Sequence, residues 1–194
     1  TSHAILGWAN EDIISVVTEQ LRRYTHLDYK TFHDPLRESL ANKLVAGAPY
    51  WASDCKLGVF YPGLSGSDAV EGAIKLAYQF HCCRGQSDRT EIISFKQSYH
   101  GSTAGSLSIG DRPNLALYSG LLPKNVHRLD EVNIFRPPAG VESDSDLLAY
   151  GISDFEATLK TVGPQRVCCV VGETISGGLT GYVPRPPTYW QLIK

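Results

Sequence analysis

A turn followed by an amphipathic segment, at residues 63–80, limits the folds that are open to this chain. Residues 57–61 just before it form a short apolar run with a β-branched and an aromatic side chain, which predicts a buried strand. Glycines at positions 63 and 66 supply the turn. The residues after the turn that share one helical face are Ala69, Val70, Ala73, Ile74, Ala77 and Phe80. The segment therefore predicts a strand, a tight turn and a helix in succession.

The start of this helix has the chemistry of an anion-binding site. Ser67 is a favourable N-cap residue, and Asp68 places a carboxylate in the first turn. Free backbone N–H groups at such a helix N-terminus bind anions, most often phosphate. The segment is neither a Walker loop nor a G-x-G-x-x-G motif, so this pattern alone leaves an ordinary strand–helix connection equally open.

The string SGSDAVEGAIKLA, at residues 65–77, resembles the phosphate-binding motif of the class III aminotransferases. These are pyridoxal-phosphate (PLP) enzymes of fold type I, with the pattern Ser-Gly-Ser/Thr-Glu-Ala-x-Glu-x-Ala-x-Lys-x-Ala. Asp68 replaces the usual Glu, and Leu64 the usual Asn. The resemblance implies that PLP is the cofactor and that Ser65, Gly66 and Ser67 bind its phosphate. The backbone amides of the last two would hold it, with the Ser67 hydroxyl adding a bond.

A polar, glycine-containing loop follows a compact apolar strand predicted at residues 91–95. Ligands gather where the strands of open α/β sheets end in such loops, although a Tyr-His pair in a loop is often only a surface pair. The family shows Tyr-His-Gly at this place, which Tyr99, His100 and Gly101 match. The resemblance implies that Tyr99 stacks on the pyridine ring and that His100 belongs to the cofactor site.

Residues 167–171 form the strongest strand signal, apolar throughout as in a central parallel strand. Glu173 follows at its carboxyl edge, where a charged residue favours a functional site over a surface ion pair. In the family this position is a Glu-Pro dipeptide whose carboxylate lies beside the cofactor. Thr174 replaces the Pro, and Gly178 stands where some relatives carry a second Glu.

The rest of the chain predicts further helices and one more strand. A helix is expected over residues 10–24 with Asn10 as N-cap, and a second from Pro35 to an end at residues 47–49. A strand is expected at 125–129 and a helix at 146–162. The resemblance implies an α/β, three-layer PLP-dependent transferase fold of type I with a mostly parallel central sheet. Residues 1–32 would be the N-terminal segment, and residues 33–194 the first, incomplete part of the PLP-binding large domain.

Composition excludes several classes of protein. The net charge of the 194 residues is −2, which gives no argument for nucleic-acid or anionic-membrane partners. No apolar run approaches the roughly 18 residues of a membrane span, and no signal peptide is visible. The five cysteines match neither a disulfide framework nor metal-ligand spacing, so no metal site is expected. A cytoplasmic location is expected, with a mitochondrial one as the alternative.

The chain lacks residues that the family needs for chemistry. Neither the carboxylate that pairs with the pyridine nitrogen nor a lysine in the context of the Schiff-base lysine is present, so no catalytic residue is assigned. The chain resembles the N-terminal half only, and a second polypeptide or a missing C-terminal half would supply the lysine. By resemblance the assembly is a dimer that moves an amino group between an amine or amino acid and a keto acid or aldehyde. A non-catalytic pseudoenzyme or binding module, and a fold type I decarboxylase, racemase or lyase, remain alternatives.

Overall fold

The computed structural model describes residues 4–28, 31–51 and 63–194, with the side chains of residues 48–51 left aside. Its contacts divide the chain into two units, Thr1–Phe60 and Tyr61–Lys194. The strand predicted at residues 57–61 lies outside the described residues. The domain boundary predicted between residues 32 and 33 comes from the family resemblance. The division by contacts does not test it, so it stays a prediction.

The first unit contains two helices, α1 (Glu11–Arg23) and α2 (Pro35–Trp51). Asn10 caps α1 as predicted, because its side chain accepts a hydrogen bond from Ile13 N at 3.2 Å. The end predicted for α2 at residues 47–49 is wrong, since the helix continues two residues beyond Pro49.

The second unit alternates helices with short strands. Its elements are α3 (Gly66–Cys82), β1 (Glu91–Phe95), α4 (Ala104–Ile109), β2 (Val126–Leu129), α5 (Asp144–Val162), β3 (Val167–Val170), β4 (Ile175–Ser176), β5 (Val183–Pro184) and α6 (Tyr189–Leu192). Two 3₁₀ helices, Pro113–Tyr118 and Pro164–Arg166, join them. The predicted strands at 91–95 and 125–129 and the helix at 146–162 are confirmed within two residues at each end.

The described residues form a three-stranded parallel sheet in the order β2-β1-β3, and β4 pairs with β5 in a separate antiparallel hairpin. Among the described residues β1 occupies the middle of this sheet and residues 167–170 lie beside it, so the expectation of a central strand at residues 167–171 stays a prediction. All five side chains of β1 are buried, whereas Val170 at the end of β3 is 36% exposed. Apolar composition alone does not distinguish a central strand from its neighbour.

Helices cover both faces of the sheet. Ile93 and Phe95 of β1 share a core cluster with residues of α5 and α6. Side chains alternate along a strand, so Ile92 and Ser94 face the opposite side. There α3 contacts β3 and α4 contacts β1, and neither helix contributes to that core cluster. The three-layer α/β class predicted from the sequence is confirmed.

Close packing explains why a glycine, Gly151, stands at the middle of α5. A Cβ at Gly151 would lie 2.8 Å from a ring atom of Tyr189 and 2.8 Å from a methyl carbon of Val132. Gly151 is therefore the point at which α5 approaches α6 and the segment after β2 most closely.

A buried carboxylate lies at the amino edge of the sheet. Glu91 Oε2 is 2.8 Å from His127 Nε2, and its Oε1 accepts a hydrogen bond from Arg166 Nη2 at 2.8 Å. The hydrogen bond from His127 and the charge of Arg166 lower the pKa of Glu91, against its burial, which acts in the opposite direction. In its charged form, Glu91 therefore links β1 to His127 of β2 and to Arg166 of the 3₁₀ helix that precedes β3.

A second buried ion pair lies near the carboxyl edge. Arg185 Nη2 is 3.1 Å from Glu131 Oε2, with both side chains at most 6% exposed. Ser176 also donates to Glu131, and the Arg185 guanidinium lies 3.9 Å from the ring centroid of Phe95. This cluster fixes the β4–β5 hairpin against the loop that follows β2.

Candidate functional site

The turn predicted to bind an anion opens α3, but the cap of this helix is not the predicted residue. Ser65 is the N-cap, since its hydroxyl accepts a hydrogen bond from Asp68 N at 3.2 Å. The assignment of the cap to Ser67 is wrong by two residues. Asp68 returns a bond by accepting from Leu64 N at 2.9 Å, and its place in the first turn is as predicted. This exchange leaves Gly66 and Ser67 as the first two residues of the helix.

The predicted apolar face of α3 is only partly correct. Val70, Ile74 and Ala77 are half-buried, whereas Ala73 and Phe80 are exposed. Gly72 is the one buried residue among those described in this helix. The apolar part of the buried side of α3 is narrow, because the half-buried polar residues Ser67 and Glu71 lie on the same side.

The hydroxyl of Ser67 connects the turn to the loop that carries Tyr99. Ser102 N donates a hydrogen bond to Ser67 Oγ at 3.0 Å. Between these two segments, Gly101 has a φ of +141°. A Cβ at Gly101 would lie 2.7 Å from Ser67 Oγ and 2.7 Å from Ser106 Cβ, so no larger residue fits. The structure thus brings the phosphate motif and the Tyr-His-Gly motif together.

Glu71 holds the same two segments together one helical turn further along. Its Oε1 accepts hydrogen bonds from Thr103 Oγ1 at 2.7 Å, from Gly105 N at 2.9 Å and from Ser106 N at 3.1 Å. Gly105 leaves the room this requires, since a Cβ there would lie 2.8 Å from Glu71 Oε1. The carboxylate satisfies N–H groups at the start of α4 that have no partner inside the helix. Glu71 was missed from the sequence, although its spacing of four from Ser67 places both on one helix face.

Tyr99 lies beside a cavity of about 390 Å³. Its ring is partly exposed, its hydroxyl is 3.3 Å from Ser102 Oγ, and the Arg112 guanidinium lies 4.0 Å from its centroid. The cavity is bordered by the Tyr99 loop on one side and by the 3₁₀ helix on the other. The ring is therefore covered on one face by a cation, while 43% of the residue stays exposed.

His100 follows with its ring half-buried. Its Nε2 is buried and has no hydrogen-bond partner among the described residues. Burial lowers the pKa of His100, so the imidazole is neutral near pH 7. A neutral ring with an unpaired buried nitrogen is suited to a hydrogen bond with a neighbour that these residues do not supply.

Glu173 lies two residues beyond Val171, whose N–H donates to Ile93 O at 2.9 Å. Its side chain is half-buried, and no hydrogen bond or ion pair to its carboxylate is found within the described part of the chain. Gly177 lies close by, since a Cβ there would be 2.8 Å from Glu173 Oε1. The structure places Glu173 at the carboxyl edge of the sheet, as it does Tyr99, without direct contact between the two.

Residues 4–28, 31–51 and 63–194 contain no cluster of three or more His, Cys, Asp or Glu arranged to hold a metal ion. No helix formed by these residues has the length and apolar character needed to cross a bilayer.

The fold and the site define an α/β protein in which a helix N-terminus and an aromatic loop meet at the carboxyl edge of a parallel sheet. The family model of the class-III aminotransferases matches residues 1–194, so the chain belongs to that family. An aminotransferase from Gibberella zeae is 29% identical over an alignment of 195 positions, which covers 98% of this chain and 37% of that protein. An adenosylmethionine-8-amino-7-oxononanoate aminotransferase from Methanocaldococcus jannaschii is 36% identical over an alignment of 191 positions, which covers 95% of this chain and 40% of that protein.

The solved structures agree with this assignment. A transaminase obtained by directed evolution and ancestral reconstruction superposes with a TM-score of 0.86 at 25% identity. The match covers 96% of this chain and 40% of that protein. The chain thus has the fold predicted from the sequence, and it spans well under half the length of the relatives and neighbours it matches.

Proposed function

We propose that the protein containing this chain is a PLP-dependent aminotransferase that moves an amino group between an amine or amino acid and a keto acid or aldehyde. The observation that carries the proposal is the hydrogen bond between Ser67 and Ser102. It holds a helix N-terminus suited to a phosphate against an aromatic residue suited to a pyridine ring. When bound, PLP supplies the electron sink for the reaction, and this chain supplies binding and orientation.

The turn at the start of α3 fits the phosphate of the cofactor. A Cβ at Gly66 would meet nothing within 4 Å, so the space in front of the turn is open. Within the described residues no acceptor is bonded to the N–H groups of Gly66 and Ser67. The Ser67 hydroxyl accepts from Ser102 and keeps its own proton to donate to a phosphate oxygen. Ser65 contributes indirectly, by capping the helix whose dipole faces the anion.

Three further residues would orient the rest of the cofactor. Tyr99 is partly exposed and would offer its ring for stacking. The unpaired Nε2 of His100 fits a ligand or a neighbouring group, which supports its place in the site. The unpaired carboxylate of Glu173 would support the cofactor edge. These roles rest on the family resemblance together with the position of each side chain at the carboxyl edge of the sheet.

Lys96, the lysine closest in sequence to Tyr99, is unsuited to covalent chemistry with the cofactor. Its Nζ is 2.5 Å from Asp130 Oδ1, and this hydrogen bond raises the pKa of Lys96 and keeps the amine protonated. No lysine of residues 1–194 stands in the sequence context of the family's Schiff-base lysine, so by this resemblance the covalent lysine would come from another segment or polypeptide. In this proposal residues 33–194 are the first part of the PLP-binding large domain, and the assembly is a dimer in the cytoplasm or the mitochondrion.

The test of the cofactor site is a titration of the protein containing residues 1–194 with PLP and with pyridoxal, which lacks the phosphate. Gly66→Val should weaken PLP binding far more than Ser67→Ala, because the valine side chain fills the space in front of the amides. Ser67→Ala removes one charge-assisted bond of about 1.5–3 kcal/mol. Both variants should bind pyridoxal like the wild type, since the phosphate alone contacts the turn. Equal losses of PLP affinity in the two variants would contradict phosphate binding by the backbone amides of Gly66 and Ser67.

The test of the reaction is product analysis with an amine donor and a keto acid acceptor. Formation of the new amino acid supports amino transfer, whereas inversion at the α-carbon without transfer, or loss of CO₂, supports another fold type I reaction. Borohydride reduction with PLP followed by peptide mapping locates the lysine. We expect no stoichiometric pyridoxyl label within residues 1–194. A single label there would refute the proposal that another segment or polypeptide supplies the lysine. Absence of label on every chain of the intact protein would favour a pseudoenzyme.

A further inference from the structure

The Tyr99 loop, residues 97–101, leaves β1 through a residue in an unfavourable backbone conformation. Gln97 has a φ of +55°, in the left-handed region that a residue with a Cβ rarely adopts. Such a conformation persists only where surrounding contacts hold it. The contacts that hold Gln97 therefore also determine the direction in which Tyr99 leaves the sheet.

Asp111 holds the start of this loop through both its side chain and its backbone. Its Oδ2 accepts a hydrogen bond from Gln97 N at 2.9 Å, and its own N–H donates to Ser98 O at 2.9 Å. The next residue, Arg112, contacts the ring of Tyr99, with its guanidinium carbon 4.0 Å from the ring centroid. Two adjacent residues thus contact the backbone that precedes Tyr99 and the side chain of Tyr99 itself.

Arg128 of β2 holds the segment that carries Asp111. Its Nε and Nη2 donate to Gly110 O at 3.1 and 2.9 Å, and Nη2 also donates to Ser108 O. The last carbonyl groups of a helix such as α4 have no partner inside it, and a cation is a favourable one. Arg128 Nε also lies 3.8 Å from Asp111 Oδ1, the carboxylate oxygen that is not bonded to Gln97.

The hydrogen bonds, rather than the ion pair, carry this arrangement. The side chains of Arg128 and Asp111 are 23% and 35% exposed, and ion pairs that water reaches contribute little. The bonds to the carbonyls of Ser108 and Gly110 connect β2 to the end of α4, where the chain turns into Asp111. β2 therefore fixes the position from which Asp111 reaches Gln97.

The phosphate turn holds the other end of the same loop, since Ser102 N donates to Ser67 Oγ at 3.0 Å. The loop therefore runs between two fixed points, with Asp111 at its start and Ser67 just beyond its end. Without the first point the loop is attached at one end only, and fewer molecules hold Tyr99 in its binding position. A ligand that binds only to that position loses affinity in the same proportion.

We propose that Asp111, supported by Arg128, is a positioning residue that sets the affinity of the site for the cofactor ring by fixing the loop that carries Tyr99. The proposal rests on the proposed function for the identity of the ligand, and it requires no contact between Asp111 and the cofactor. The same dependence holds for contact with the face or with the edge of the Tyr99 ring, because both move with the loop.

The experiment measures the affinity of the protein containing residues 1–194 for PLP and for pyridoxal, which has the ring without the phosphate. Asp111→Ala should raise the Kd for pyridoxal about 3- to 30-fold, because it removes the acceptor that holds Gln97 N. The Kd for PLP should rise by a similar factor. Asp111→Asn keeps an acceptor oxygen for Gln97 N, so it should restore most of the affinity for both ligands.

A double-mutant cycle with Tyr99 separates positioning from a general loss of stability. In the Tyr99→Ala background, Asp111→Ala should change the Kd for pyridoxal by less than about twofold, because the side chain that Asp111 positions is gone. Arg128→Gln should weaken pyridoxal binding when Tyr99 is present and have the same small effect when it is absent.

Asp154→Ala is the matched control. Asp154 Oδ2 also accepts a hydrogen bond from the backbone of a residue that follows a strand, Asp130 N at 2.7 Å, but Asp154 belongs to α5, on the other face of the sheet. Asp154→Ala should destabilise the fold and leave pyridoxal affinity unchanged. Hydrogen exchange without cofactor gives a second readout: amides of residues 97–102 should exchange faster in Asp111→Ala and as in the wild type in Asp154→Ala.

If the wild type binds neither PLP nor pyridoxal, the proposed function fails, and hydrogen exchange still decides whether Asp111 fixes the loop. Unchanged exchange of residues 97–102 in Asp111→Ala would overturn the proposal. Unchanged pyridoxal affinity in that variant, a loss confined to PLP, or equal losses with and without the Tyr99 side chain would overturn it as well.

Discussion

Replacing Glu71 by alanine tests whether its carboxylate holds α3 and the turn at its start against the loop that carries Tyr99. Glu71 Oε1 accepts three hydrogen bonds, at 2.7, 2.9 and 3.1 Å, two of them from backbone N–H groups at the start of α4. A hydrogen bond to a charged group contributes about 1.5–3 kcal/mol, but bonds that share one acceptor are not additive and this site is partly exposed. We therefore expect Glu71→Ala to lower the free energy of unfolding by about 2–4 kcal/mol.

Glu71→Gln keeps an acceptor oxygen and removes the charge, so its loss should be smaller, about 1–2 kcal/mol. The assay is urea unfolding followed by circular dichroism, with PLP affinity as a second readout because the loop positions Tyr99. Glu156→Ala is the control, since Glu156 is exposed on α5 and should cost less than about 0.5 kcal/mol. Equal unfolding free energies for the Glu71→Ala and Glu156→Ala proteins would refute the reasoning.

Three further predictions concern neighbouring features. Gly101→Ala should lower the free energy of unfolding by about 1–3 kcal/mol, because its φ of +141° and the nearby Ser106 side chain disfavour any Cβ; an unchanged urea midpoint would contradict this. Tyr99→Phe should bind PLP nearly as well as the wild type and Tyr99→Ala should not, because the ring face supplies the contact; equal damage in a titration would assign the role to the hydroxyl. The lowered pKa of Glu91 means that its stabilising contribution is present above the ordinary value of 4.5 and is lost as the pH falls through the folded-state pKa. The stability difference between wild type and Glu91→Gln should therefore shrink as the pH falls below 4.5 and through the folded-state pKa in unfolding measurements, and a constant difference would contradict the assignment.

The sequence predicted the elements of the second unit because its signals are local. The apolar run of β1, the helix after the turn and the strand before Glu173 each follow from a few adjacent residues. The helix start moved from Ser67 to Ser65 because two serines separated by one residue are both good caps, and only the bond to Asp68 N decides between them.

The contacts between elements could not be predicted in the same way. Nothing local pairs Glu71 with the start of α4, since the two are more than 30 residues apart and their meeting depends on how α3 lies against β1 and β3. The same holds for Arg112, whose stacking on Tyr99 requires the chain to return after α4. Sequence reasoning proposed groups for binding a cofactor and missed the residues, Glu71 and Arg112, that contact the segments carrying those groups.

The buried pair of Arg185 and Glu131 limits the order in which this chain can accumulate substitutions. Losing either partner alone leaves a buried charge without its counter-ion, at a cost of about 3–5 kcal/mol, which is a large share of the stability of a small domain. Replacing both by apolar residues of similar volume can be nearly neutral. Each of the two routes from the ion pair to an apolar pair, changing one residue at a time, therefore passes through an unstable single variant. Positions 131 and 185 are expected to change together among descendants of this sequence, and so are the two loops that carry them.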